Sequence, residues 1–139
     1  MFRVLREESG SYLIQVTGRF KPLEESVSAA RRFVGSSLVD WNRPQEVDVV
    51  VLLTSEVVTN AILHAGPHGP GAEVVVALSR TGDVVRVEVA DGHPGIPVVG
   101  DGDLDRPCGR GLVLLDALAK TWGVTTANSG KGVWFEVQA

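Results

Sequence analysis

Thr54-Ser55-Glu56-Val57-Val58-Thr59-Asn60-Ala61-Ile62-Leu63-His64 sets three polar side chains, Glu56, Asn60 and His64, four residues apart in an otherwise apolar segment. That spacing predicts a helix, because at about 100° per residue the three positions form one narrow stripe. Leu52, Leu53, Val57, Ala61 and Leu63 flank the stripe on both sides, so a helix packed by its apolar face carries carboxylate, amide and imidazole inward. Burying a polar group without a partner costs on the order of a few kcal/mol, and Glu56 has no cation at helical spacing. Such groups persist where a site uses them, and the stripe reads as the wall of a pocket.

Around this helix the chain offers 139 residues, enough for one domain over 1–139 that buries roughly 70% of its unfolded surface. A hydrophobic fraction of 44%, a charged fraction of 22% and 16 glycines describe a soluble globular protein with tight turns. The net charge of −4 argues against broad electrostatic binding to nucleic acid. Cys108 is the single cysteine, which excludes an internal disulfide or a cysteine-based zinc site. No window reaches the roughly 20 apolar residues of a membrane span, and Met1 to Glu8 lacks a signal-peptide core, so a cytoplasmic location is expected.

Along the chain, residues 2–7 and 11–17 have strand character and join at Ser9-Gly10. Pro22 opens a helix with Val27, Ala30, Phe33, Val34 and Leu38 toward the core and Arg31 and Arg32 toward water. After the break at Asn42-Arg43-Pro44, the helix with the polar stripe is expected from about Glu46 to Ala65, stopped by Gly66-Pro67. Residues 73–79 and 84–90 form a hairpin that ends at Asp91. Residues 92–109 read as a loop, Gly111 to Lys120 as a short helix, and 123–127 with 133–137 as a final strand pair. This order indicates an α+β sandwich with the helices on one sheet face.

Several positions carry chemistry beside a plainer reading. Glu56 or Asn60 alone is ordinary on a solvated helix; together they suit a metal or phosphate, since an amide oxygen is a hard neutral ligand for Mg²⁺. Asp91 closes a strand before Gly92-His93-Pro94-Gly95, a turn signal that also lets a planar ligand approach and donate an exocyclic amine to a carboxylate. Gly109-Arg110-Gly111-Leu112 is either a linker or a helix N-terminus with N–H groups and a guanidinium available to phosphate. His64 and His68 do not make a zinc pair, because Gly66-Pro67 breaks the helix between them. Trp41, Trp122 and Trp134 are scattered and are expected in the core.

Taken in order, these blocks resemble the histidine-kinase-type ATPase superfamily with the Bergerat ATP-binding fold, and most closely the small bacterial anti-sigma-factor serine/threonine kinases. Residues 55–65 are similar to the asparagine box, 87–97 to the first glycine box and 109–112 to the second, while 130–136 resemble the closing block. His93 stands where the superfamily usually has glycine, and Val133 where a threonine is common. The resemblance implies a two-layer sandwich with a mixed, mostly antiparallel sheet. It implies that Asn60 coordinates Mg²⁺ on the ATP phosphates, that Glu56 is the base on the acceptor hydroxyl and that His64 sits beside the phosphates. Asp91 would read the adenine amine, Gly95 would let the base lie against the backbone, and Gly109, Arg110, Gly111 and Leu112 would close over the phosphates.

The implied activity is phosphoryl transfer from Mg·ATP to a serine or threonine of an anti-anti-sigma-type antagonist, with a sigma factor as second partner and a homodimer as assembly. Two other readings stand beside it. One is a nucleotide-dependent module that sequesters a partner with little or no transfer. The other is a detached histidine-kinase catalytic domain acting on a separate acceptor, since the lack of a phosphoacceptor helix before residue 22 disfavours a complete histidine kinase.

Overall fold

The β-branched run Val74-Val75-Val76 and the alternation Val85-Arg86-Val87-Glu88-Val89 place one set of side chains on each face of a hairpin, and that hairpin forms the middle of the fold. The computed structural model describes residues 2–6, 12–41, 44–65, 73–91, 107–127 and 130–138, with side chains described for 14–41, 44–63, 73–91, 113–125 and 132–138. In chain order the elements are β1 (Phe2–Arg6), β2 (Tyr12–Phe20), α1 (Glu25–Asp40), a 3-10 turn (Pro44–Glu46), α2 (Val47–Ala65), β3 (Val74–Thr81), β4 (Val84–Asp91), α3 (Pro107–Leu118), β5 (Thr121–Ala127) and β6 (Gly130–Gln138). The strands form one six-stranded sheet in the order β1-β2-β3-β4-β6-β5, and every described pairing is antiparallel. Between β3 and β4 the turn is shorter than the sequence suggests: Thr81 pairs with Val84, and Gly82 takes φ +59°, a backbone that glycine adopts without penalty.

One sheet face is apolar and buried. Val74, Val76 and Leu78 lie level with Asp91, Val89 and Val87, and Val89, Val87 and Val85 in turn face Val133, Phe135 and Val137 across β6. The three helices cover this face, α1 on β2, α2 on β3 and β4, and α3 beside β5, giving the expected α+β two-layer arrangement. α1 contributes Ala30, Val34 and Leu38 at four-residue spacing, and α2 contributes Val50, Leu53, Val57 and Val58. Arg31 and Arg32 face water as expected. α1 begins at Glu25 rather than at Pro22, where the Ser26 hydroxyl donates 2.6 Å to the Lys21 carbonyl and orders the preceding turn.

Two connections set the direction of the helices. At the end of α1 the Arg80 guanidinium donates 3.0 Å to the Trp41 carbonyl, satisfying a helix-end acceptor and tying it to the far end of β3. After α3 the Lys120 N–H donates 2.8 Å to the Glu136 carbonyl, opposite Arg86 and near that same sheet end.

Trp41 is buried, as the sequence suggests, but Trp134 is not a core residue. It lies on the outer sheet face, because it is out of phase with Val133 and Phe135, and the Arg86 guanidinium sits 4.2 Å from its ring centroid. Arg86 is also paired at 3.6 Å with both Glu88 and Glu136. Gly123 makes room for the indole: a Cβ there would come within 2.8 Å of Trp134 Cζ2. Gly123→Ala should therefore push the indole off its stack and lower stability by about 1–3 kcal/mol. Urea denaturation measures this, and an unchanged midpoint would show that the ring repacks freely.

Candidate functional site

Asn60 and Glu56 belong to α2, whose buried side is set by Val50, Leu53, Thr54, Val57 and Val58. Each four-residue step advances 400°, so the polar stripe drifts about 40° per step around the helix. Glu56 accordingly lies half-buried at the margin of the packed side, and Asn60, one step nearer the core, is only 4% exposed. The same geometry corrects one expectation. Leu52 and Leu63 flank the stripe from the solvent side, 42% and 56% exposed, so the stripe runs along an edge of the apolar surface and not down its middle.

α2 lies between its two neighbours. Val51 faces α1, where a Cβ on Gly35 would meet Val51 Cγ2 at 3.7 Å. Asn60 is nine residues further, half a turn round at about 100° per residue, and so lies on the flank away from α1, while α3 also packs on α2.

Among the described residues the amide oxygen of Asn60 is buried without a hydrogen-bond partner. An unsatisfied buried acceptor costs about 1–3 kcal/mol, a sizeable share of the roughly 5–15 kcal/mol that holds a domain folded. The packing of α2 does not require that cost, since an aliphatic side chain of similar volume would fill the position without it. The Thr54 hydroxyl is likewise buried and unpartnered, but it lies off the stripe, and nothing in the described structure gives it a role.

Topology gathers the predicted residues at one end of the sheet. α1 finishes at the Arg80 end of β3, α2 starts nearby, and its 19 residues run back about 28 Å, comparable to the roughly 26 Å of eight-residue β3. The C-terminal half of α2, with Asn60, therefore returns toward the end where Val74 is in register with Asp91. Asp91 points to the helix side of the sheet and is 5% exposed. α3 finishes near the Arg80 end through the Lys120–Glu136 bond, so its N-terminus is directed toward the Asp91 end as well.

α3 begins at Pro107, four residues before the expected start at Gly111, so Pro107 to Gly109 are helical and not loop. Proline suits a first helical position, and packing on α2 outweighs the roughly 1 kcal/mol that each of Gly109 and Gly111 costs a helix. Gly109, Arg110, Gly111 and Leu112 thus occupy its first turns, with side chains outside the described set. His64 is placed on α2 by its backbone, its side chain likewise outside that set. Gly95, His93, His68 and the rest of 92–106 lie outside the described residues. Among the described residues no helix is long and apolar enough to cross a membrane.

Comparison with known families gives a match to the histidine kinase-like ATPase domain over residues 20–137. Among solved structures, the histidine kinase domain from Erythrobacter litoralis EL346 blue-light activated histidine kinase is similar, with a TM-score of 0.56 and 22% identity over 81% of this chain. The matched region spans 60% of that structure's chain, and at this identity the likeness speaks for the fold. No curated protein sequence matches this chain.

If the amide of Asn60 serves a ligand and not the fold, Asn60→Leu should leave the ligand-free protein as stable as the wild type or up to about 3 kcal/mol more stable, since it removes an unsatisfied acceptor. Thermal unfolding without nucleotide checks this. A markedly lower Tm would assign Asn60 to the scaffold.

Proposed function

The chain belongs to the histidine kinase-like ATPase domain family, and from that premise we propose that it is a protein serine/threonine kinase of the anti-sigma-factor type, using Mg·ATP. The observation that carries the reading is the Asn60 amide oxygen, buried and unpartnered on the helix that returns to the Asp91 end of the sheet.

The donor chemistry fits magnesium, because a neutral hard oxygen with no partner among the described residues suits an ion that keeps most of its ligands as water and phosphate. Asn60 would hold that ion, which when bound offsets charge on the phosphate oxygens. Asp91 accepts from the exocyclic amine of adenine, with Gly95 allowing the base to lie close and His64 beside the phosphates. The positive end of α3, which opens at Pro107, would favour the phosphates, with Gly109, Arg110, Gly111 and Leu112 closing over them from its first turns. Glu56, one turn before Asn60 and half-buried, is open to an acceptor from the solvent side. It takes the proton of a serine or threonine hydroxyl as that oxygen bonds to the γ-phosphorus and the bond to the bridging oxygen breaks, releasing ADP.

The proposed acceptor is an anti-anti-sigma-type antagonist, the proposed second partner a sigma factor, and the proposed setting a cytoplasmic homodimer. Glu56→Gln should bind Mg·ATP as the wild type does and lose roughly 10²-fold or more in transfer, the usual worth of a positioned base. Radiolabelled ATP with purified anti-anti-sigma-type proteins measures it. Acid-stable label on the acceptor supports serine or threonine, acid-labile label points to histidine, and ATP binding with no transfer to any of them would leave a sequestering module. Wild-type transfer by the variant would remove Glu56 as base.

A further inference from the structure

α3 carries the segment assigned to the phosphates; it packs along α2, but its hold on the sheet is confined to one end. Of the side chains from Val113 to Leu118, Leu115 is fully buried and Leu114 half-buried, while Val113, Asp116, Ala117 and Leu118 are exposed. What ties this helix to the sheet is concentrated at its C-terminal end. The Lys120 N–H donates 2.8 Å to the Glu136 carbonyl, and the Trp122 indole Nε1–H donates 3.1 Å to Asp116 Oδ1. Trp122 lies on the helix-facing side of β5, in register with the buried Phe135, so its ring extends from the sheet to the helix.

Asp116 stands in the last turn of α3, where the helix dipole disfavours an acid, and no basic residue is present in that turn. An indole N–H only donates, and a carboxylate oxygen only accepts, so the pair has one polarity and one orientation. From Asp116 back to Cys108 is eight residues, a lever of about 12 Å. A tilt of roughly 10° about the anchored end would move the first turn by about 2 Å, several times the width of the 2.7–3.2 Å window within which N–H groups bond an oxygen.

We infer that Asp116 and Trp122 are positioning residues for nucleotide: their hydrogen bond sets the tilt of α3 and so the time for which ATP is retained. This rests on the proposed function, since it needs ATP at the first turns of α3. The pair touches no part of the nucleotide and acts only through the helix between.

The test measures release of a fluorescent ATP analogue by stopped flow from the wild type, Trp122→Phe, Asp116→Ala and Asp116→Asn, with Tm for each. Trp122→Phe keeps an aromatic ring and removes the donor; Asp116→Asn keeps an acceptor oxygen and removes the charge. Release should be roughly two- to ten-fold faster for Trp122→Phe and Asp116→Ala, the range that one lost hydrogen bond commands. Asp116→Asn should stay close to the wild type, and Tm should scarcely change across the series. Wild-type release from both Trp122→Phe and Asp116→Ala overturns the inference, as does Asp116→Asn releasing as fast as Asp116→Ala. Failure of the wild type itself to bind the analogue or Mg·ATP would instead sink the ATP reading, and this inference with it.

Discussion

The packing of α2 against the sheet is the constraint on which the rest depends. Val50, Leu53, Val57 and Val58 bury on β3 and β4, and each such side chain contributes about 1.5–3 kcal/mol of burial, which fixes the rotation of the helix about its axis. With that rotation set, the positions of Glu56 and Asn60 follow from helical geometry. The carboxylate is left at the margin and the amide is carried under cover. The apolar contacts outweigh the cost of one unpartnered amide oxygen, so the fold tolerates it without satisfying it.

A second constraint acts on direction. Antiparallel pairing puts Val74 beside Asp91 at one sheet end and Arg80 beside Val85 at the other, and the helices are tied at the Arg80 end. The Arg80–Trp41 bond holds the end of α1, and the Lys120–Glu136 bond holds the end of α3. These two helix-end bonds and the candidate site therefore occupy opposite ends of the sandwich. Such a division leaves the site end free to differ in local stability from the anchored end, the usual arrangement where binding elements must yield.

The outer sheet face follows a different rule. Arg86, Glu88, Glu136 and Trp134 form a half-exposed group in which one guanidinium serves two carboxylates and a ring. Exposed pairs of this kind are individually worth little, about 0–1 kcal/mol. Their effect is to hold the indole flat over Gly123, which covers β5 and β6 where no helix does.

Much of this was legible in the residues themselves. The four-residue spacing of Glu56, Asn60 and His64 set them on one helical stripe, and the valine-rich runs before and after Gly82 marked the hairpin that ends at Asp91, because helix and strand periodicities are local properties of the chain. The α+β class followed from the order of those segments. Periodicity could not say how far the stripe turns into the core, since that depends on what α1, α3 and the sheet cover; hence Leu52 and Leu63 proved exposed and Glu56 half-buried. Nor could it start α3 at Pro107, where packing on α2 overrides two glycines, or put Trp134 outside, which register with the buried β4 side chains decided. That Asn60, Asp91 and the head of α3 share one sheet end is likewise tertiary: it rests on where Arg80 and Glu136 catch the chain, contacts between residues tens of positions apart.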